Sequence, residues 1–314
     1  MLIIPYKSDV DLNRIPILTI MVCLVCLIIF YLQDQSNRKM AQFATDYCLE
    51  NKTRILLHVF EKASYEGKSV SCPQFLSIVA TAADQEKMLN SFVSSAKRFK
   101  SLSSASSKKL ISKELNKLFT NYSFEAPKDM TANYWYFPTH WSVPHMITSA
   151  FAHGSWSHAL GNVFFFFAFA ATVEIILGGI LYTTFFLTVA GATSVLYSLH
   201  SIAIQSTVPT LGLSGVVFGF MGVLLFLAPT VNIRHALWFI LIFWRVFRFS
   251  IPVWILVIFY VGLDAYKLIE TEDWQGINLI AHVGGGMAGY LFGFLFLRSK
   301  KRLVTAELRT QRWS

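Results

Sequence analysis

Apolar and polar positions along this chain fall into long blocks. Mostly apolar residues fill about Ile15–Leu32, Ser157–Leu177, Tyr182–Leu199, Ser214–Leu227, Ile251–Ala265 and Leu279–Leu297. A helix needs about 20 such residues to cross a bilayer, because each backbone N–H and C=O must be paired internally where no water is available. The pattern therefore predicts six membrane-spanning helices. The fourth and fifth are short, which suits helices surrounded by other helices. The first apolar run exceeds a signal-peptide core and no small-x-small site follows it, so it reads as an anchor rather than a cleavable leader.

The segment from Asp34 to Ser142 is more polar but keeps helical periodicity. Ile55, Leu56, Val59 and Phe60 share one face, and Ile111, Leu115, Leu118 and Phe119 share another. With the Ser-rich stretch Leu102–Ser107 read as a linker, the segment predicts a small helical region with a modest core of its own. Residues 233–249 have a different pattern, in which Arg245 and Arg248 interrupt Phe243, Trp244, Phe247 and Phe249. An amphipathic helix lying in the membrane interface accounts for it, and a seventh crossing is the alternative.

Composition supports the block pattern. With 54% hydrophobic and 14% charged residues, the chain is an integral membrane protein rather than a soluble one. Basic residues in short loops then set the orientation. Arg298, Lys300, Lys301 and Arg302 follow the sixth block, and Arg234, Arg245 and Arg248 lie between the fourth and fifth. Both regions should be cytoplasmic, as should both termini. The region 34–142 then lies outside despite its excess of basic residues, since long segments translocate largely regardless of charge. The net charge of +9 is explained by this topology and by attraction to lipid surfaces, not by nucleic-acid binding. The organisation expected is 1–33 as cytoplasmic N-terminus and first span, 34–142 as extracytoplasmic helical loop, 143–298 as the core of five spans, and 299–314 as a basic cytoplasmic tail.

Cys48 and Cys72 share the outer segment, where a disulfide is permitted; paired and free thiols both remain open. Cys23 and Cys26 form a C-x-x-C spacing inside the first span, where packing explains two small apolar thiols better than redox or metal chemistry.

The candidate chemistry lies in the outer half of the core. Ser214 opens the fourth span within Gly212-Leu213-Ser214-Gly215, and His282 lies about one turn into the sixth, which enters from the same side. Topology thus puts a nucleophile and a base at one depth, which is the minimum for acyl transfer to a serine. His158 and Asn162 are one turn apart at the outer start of the second span, with His153 just before them. Together with the N–H groups at the start of the fourth span, including that of Ser214, they can supply donors to an oxyanion. Gly215, Gly285 and Gly289 allow helices to approach closely, and Phe218 can stack on the imidazole.

At these residues the chain resembles the rhomboid family of intramembrane serine proteases. The family's H-x-x-x-x-H-x-x-x-N element reads as His153, His158 and Asn162; its G-x-S-G element as Gly212, Ser214 and Gly215; its A-H-x-x-G-x-x-x-G element as Ala281, His282, Gly285 and Gly289. The resemblance covers roughly Thr148–Leu297. It implies an all-α polytopic fold with a six-helix bundle and a Ser214–His282 dyad without a third carboxylate. It also implies an oxyanion site from the Ser214 amide, His158 and Asn162, and a structural role for Glu174. No cofactor and no metal are implied, and the partners are the lipid bilayer and single-span membrane-protein substrates. Phe218 stands where the family often has Tyr. Pro144 and His145 stand where it commonly has a Trp-Arg pair, so the loop before the second span is anchored differently or has its own form.

Three rival readings fit the sequence less well. A catalytically silent relative that binds membrane clients would usually lack the serine or the histidine. A transporter would spread polar residues along a path across the bilayer, whereas here they collect in the outer half. A zinc site built on the histidines would leave Ser214 and Asn162 without a purpose.

Overall fold

The structure is a computed structural model, and it describes residues 2–9, 14–61, 64–65, 68–82, 84–99, 101–238, 246–270 and 278–311. Strand β1 (Leu2–Ser8) precedes a long helix, α1 (Ile17–Glu50). Helix α2 (Arg54–Phe60), the two-residue strands β2 (Ser64–Tyr65) and β3 (Lys68–Ser69), and helices α3 (Cys72–Thr81), α4 (Gln85–Ser95) and α5 (Ser104–Glu125) follow. After α6 (Val143–Thr148) come α7 (Trp156–Leu177), α8 (Gly179–Ala203) and α9 (Ser214–Leu227). The chain continues through β4 (Asn232–Trp238), β5 (Val246–Pro252), α10 (Val253–Glu270), α11 (Leu279–Phe296) and α12 (Arg298–Gln311). Contacts divide it into two compact units, Met1–Tyr31 with Tyr134–Ser314, and Leu32–Asn133.

The larger unit is the apolar one. Among the described residues four helices, α1, α7, α8 and α11, are long and apolar enough to cross a membrane. The chain is therefore an all-α polytopic membrane protein, as the apolar blocks predict. Helix α9 has only 14 residues, about 21 Å at 1.5 Å each, short of a hydrocarbon core of about 30 Å. It is buried almost throughout, with Phe220, Val223 and Leu224 fully enclosed, so its neighbours and not lipid form its surroundings.

Glycines set the spacing of α9 and α11. A Cβ on Gly285 would run into the carbonyl oxygen of Gly215, one on Gly289 into that of Gly219, and one on Gly222 into that of Gly286. Backbones touching backbones in this way leave no room for any side chain, and the contact repeats every turn. At the far end of α7, Glu174 accepts from the backbone N–H groups of Leu18 at 3.0 Å and Thr19 at 2.7 Å, and from the Thr19 hydroxyl at 2.7 Å. These N–H groups are in the first turn of α1 and have no acceptor within that helix, so a carboxylate both pairs them and meets the positive end of the helix dipole.

The expected interfacial helix over 233–249 is overturned. Residues Asn232–Trp238 and Val246–Pro252 form an antiparallel pair, and β1 adds to the free side of β4 in the order β1-β4-β5. The reason is visible in β4, where Ile233 and His235 are buried while Arg234 between them is exposed. That is a period of two, which an α-helix cannot present to one face. Phe243, Trp244 and Arg245 lie outside the described residues. Helix α10 begins two residues later than the expected fifth span and runs on to Glu270.

The smaller unit has its own core, in which Phe75, Leu76, Val79, Phe92, Ile111 and Leu115 are fully or almost fully buried. A disulfide joins Cys48 to Cys72. The Ser-rich stretch is not a linker: Ser103 caps α5, its hydroxyl accepting from the Ser106 N–H at 3.1 Å, so Ser104 to Ser107 form the first turn.

Candidate active site

The first residue of α9 is Ser214, and the fourth of α11 is His282. Ser214 Oγ lies 2.8 Å from His282 Nε2. Two local features hold this pair in place. Asn278 caps α11, its Oδ1 accepting from the Ala281 N–H at 3.0 Å while its Nδ2 donates to Thr210 Oγ1 at 2.9 Å. Thr210 in turn exchanges both backbone hydrogen bonds with Tyr136, whose hydroxyl meets Ser198 Oγ at 2.6 Å. The loop delivering Ser214 is thereby tied to the start of α11 and to α8.

Gly212 has φ +119°, a conformation that side chains rarely adopt, and a Cβ there would come within 2.9 Å of the His158 ring. Its N–H donates to the Ser149 carbonyl at 2.9 Å. The glycine two residues before Ser214 is thus required twice, for its turn and for the approach of His158. Phe218 lies one turn after Ser214 and stacks on the His282 ring, with centroids 4.4 Å apart and planes 11° from parallel.

A cavity of about 930 Å³ opens onto the pair, lined among others by His158, Asn162, Phe218, Tyr260, Asp264 and His200. Asn162 is 9% exposed, and its Nδ2 has no hydrogen-bond partner among the described residues. Leaving a buried amide donor unmatched costs about 1–3 kcal/mol, so its setting is one that a ligand oxygen would improve. His153 does not reach this cavity. It is fully buried, edge-on to His158 at 5.2 Å and to Phe30 at 6.4 Å. Gly215, Gly285 and Gly289 contribute through the α9–α11 contact, and Glu174 stands at the opposite end of α7, against α1. The groups that could ligate a metal do not gather into a cluster of three or more among the described residues.

One member of the site escaped sequence reasoning. Asp264 is not among the residues that the sequence motifs single out, and the resemblance implies no third carboxylate. It lies on α10, 9% exposed, with Oδ2 2.7 Å from His282 Nδ1. The available signal was its place inside an apolar block, since an ionisable residue at membrane depth marks a functional position. His145, at the departure from the family pattern, meets Ser142 Oγ through Nδ1 at 2.7 Å, with Pro144 in the first turn of α6.

The Rhomboid domain family matches residues 140–299, half of the chain and all of the site. Among curated proteins none matches.

Proposed function

The chain belongs to the rhomboid family, and on that premise we propose that it is an intramembrane serine protease. The observation that carries this reading is the 2.8 Å contact between Ser214 Oγ and His282 Nε2 at the wall of a cavity large enough for a peptide segment. Ser214 attacks a peptide carbonyl while His282 Nε2 takes the hydroxyl proton, giving a tetrahedral intermediate. The same nitrogen returns the proton to the leaving amine, and water then hydrolyses the acyl-enzyme. The Ser214 N–H, His158 and the unmatched Asn162 Nδ2 are the donors to the oxyanion.

Six crossings, through α1, α7, α8, α9, α10 and α11, put both termini in the cytoplasm. The site then opens to the extracytoplasmic side, where the disulfide of the smaller unit can form. Substrates are single-span membrane proteins cut near their outer boundary. A helix hides its carbonyls, so the cleaved segment contains residues such as Gly or Pro that weaken it.

The test is labelling of the purified protein in detergent by a fluorophosphonate. Labelling of the native chain and its loss in Ser214→Ala are expected. Equal labelling of both, or none of the native protein, sinks the proposal and turns attention to a client-binding role.

A further inference from the structure

The contact between Asp264 and His282 has a chemical sense of its own. A carboxylate only accepts hydrogen bonds, so His282 Nδ1 must be the protonated nitrogen where it meets Asp264 Oδ2 at 2.7 Å. In the neutral ring this leaves Nε2 with its lone pair, and Nε2 is the atom 2.8 Å from Ser214 Oγ. Without Asp264 the ring is free to carry its proton on either nitrogen, and only one of the two forms can accept from Ser214.

We propose that Asp264 is a positioning residue that fixes the reactive tautomer of His282 and stabilises its charged form, making this site a hydrogen-bonded Ser214–His282–Asp264 series instead of an unassisted dyad. The inference rests on the protease reading above. When Ser214 Oγ bonds to the substrate carbonyl carbon, its proton moves to Nε2 and the carbonyl π pair becomes the oxyanion. The imidazolium formed then has a carboxylate on its other side, and Asp264 itself stays unprotonated throughout.

A plainer reading would make Asp264 half of a helix-surface ion pair with Lys267, one turn on. The distances and exposures favour the imidazole. Lys267 Nζ lies 3.9 Å from Oδ1, beyond hydrogen-bond range, with its side chain 44% exposed. His282 lies 2.7 Å from Oδ2, with both side chains only 12% exposed. Exposed pairs of the first kind contribute little, whereas a buried carboxylate must be satisfied by the group it touches. The three functional atoms also come from three separate helices, α9, α11 and α10, so the alignment is not a by-product of one helix's periodicity.

The experiment uses the full chain in detergent, with native protein and the variants Asp264→Asn, Asp264→Ala, Asp264→Glu and Ser214→Ala. Cleavage of a single-span test substrate, fluorophosphonate labelling rate and thermal unfolding are followed together. A fall of roughly 10²–10⁴-fold in kcat for Asp264→Asn is expected, with KM and unfolding temperature little changed and part of the rate restored in Asp264→Glu. The native protein should also give a far-downfield N–H proton resonance that disappears in Asp264→Asn. This signal keeps the idea testable if a variant does not fold, because its absence from the native protein overturns the proposal. Native-like turnover in Asp264→Asn, or a loss that follows unfolding temperature across the series, overturns it while leaving the protease reading intact. Failure of Ser214 to label in the native chain overturns both.

Discussion

Ser214 is a weak nucleophile as a free side chain, and what surrounds it decides whether it reacts. The cavity-facing Asn162 is the clearest case of a group whose setting is incomplete at rest, because its buried Nδ2 has no partner among the described residues. A donor that gains its partner only when an oxyanion forms contributes to the rate and little to ground-state binding. Asn162→Ala should therefore lower kcat about 10²–10³-fold with KM nearly unchanged, read from steady-state cleavage of a single-span substrate. A rise in KM with kcat unchanged would mean that Asn162 binds substrate as tightly as transition state. Phe218 offers a contrast, since its stacked ring contacts His282 through a face that Tyr also has. Phe218→Tyr should keep turnover within a few-fold, about 1 kcal/mol, whereas Phe218→Ala should lose the stacking and slow cleavage by more.

Among the elements, α9 and α11 depend most on a single residue type. Their glycines face the partner's backbone carbonyls, so the clash from an added side chain cannot be relieved by rotating a neighbour. Gly289→Val should separate the helices or unfold the unit, with a loss of more than about 4 kcal/mol, seen as a large drop in unfolding temperature together with lost labelling of Ser214. Gly262 provides the control, because nothing lies within 4 Å of a Cβ built there and it does not line the cavity. The β1-β4-β5 sheet carries a different prediction. His235 is 1% exposed, its Nδ1–H donating to the Ile233 carbonyl at 2.9 Å and its ring stacked on Phe249. Burial holds its pKa below the ordinary 6.5. The unfolded state then binds the proton more readily than the folded one, so stability is complete above about 6.5 and falls as pH drops below it. Denaturation in detergent at pH 7.5 and 5 should show this loss, and His235→Phe should reduce it. A pH response unchanged by the substitution would assign it elsewhere.

For the whole molecule, the two units have separate hydrophobic cores. The disulfide between Cys48 and Cys72 closes a loop with a sequence separation of 24, worth about 3 kcal/mol through the unfolded state. Reduction, or Cys48→Ser, should lower the unfolding temperature of Leu32–Asn133 while Ser214 still labels. Protease digestion followed by mass spectrometry would locate the opened segment. Loss of labelling on reduction would show that the units fold interdependently.

The sequence alone determined that this chain spans a membrane, because the length and apolarity of α1, α7, α8 and α11 are properties of the one-dimensional string. It also singled out Ser214 and His282, since burying such groups in apolar blocks is costly enough to mark them. Tertiary structure alone decided the β1-β4-β5 sheet, whose strands come from the segment before α1 and from the segment between α9 and α10. Local pattern around Arg245 and Arg248 carries no record of a strand starting at Leu2, and the choice between helix and sheet was made by which backbone groups could find partners. Asp264 follows the same logic. Its place in an apolar block marks it as a costly charge but names no partner, and the packing of α10 against α11 turned that charge toward His282 Nδ1.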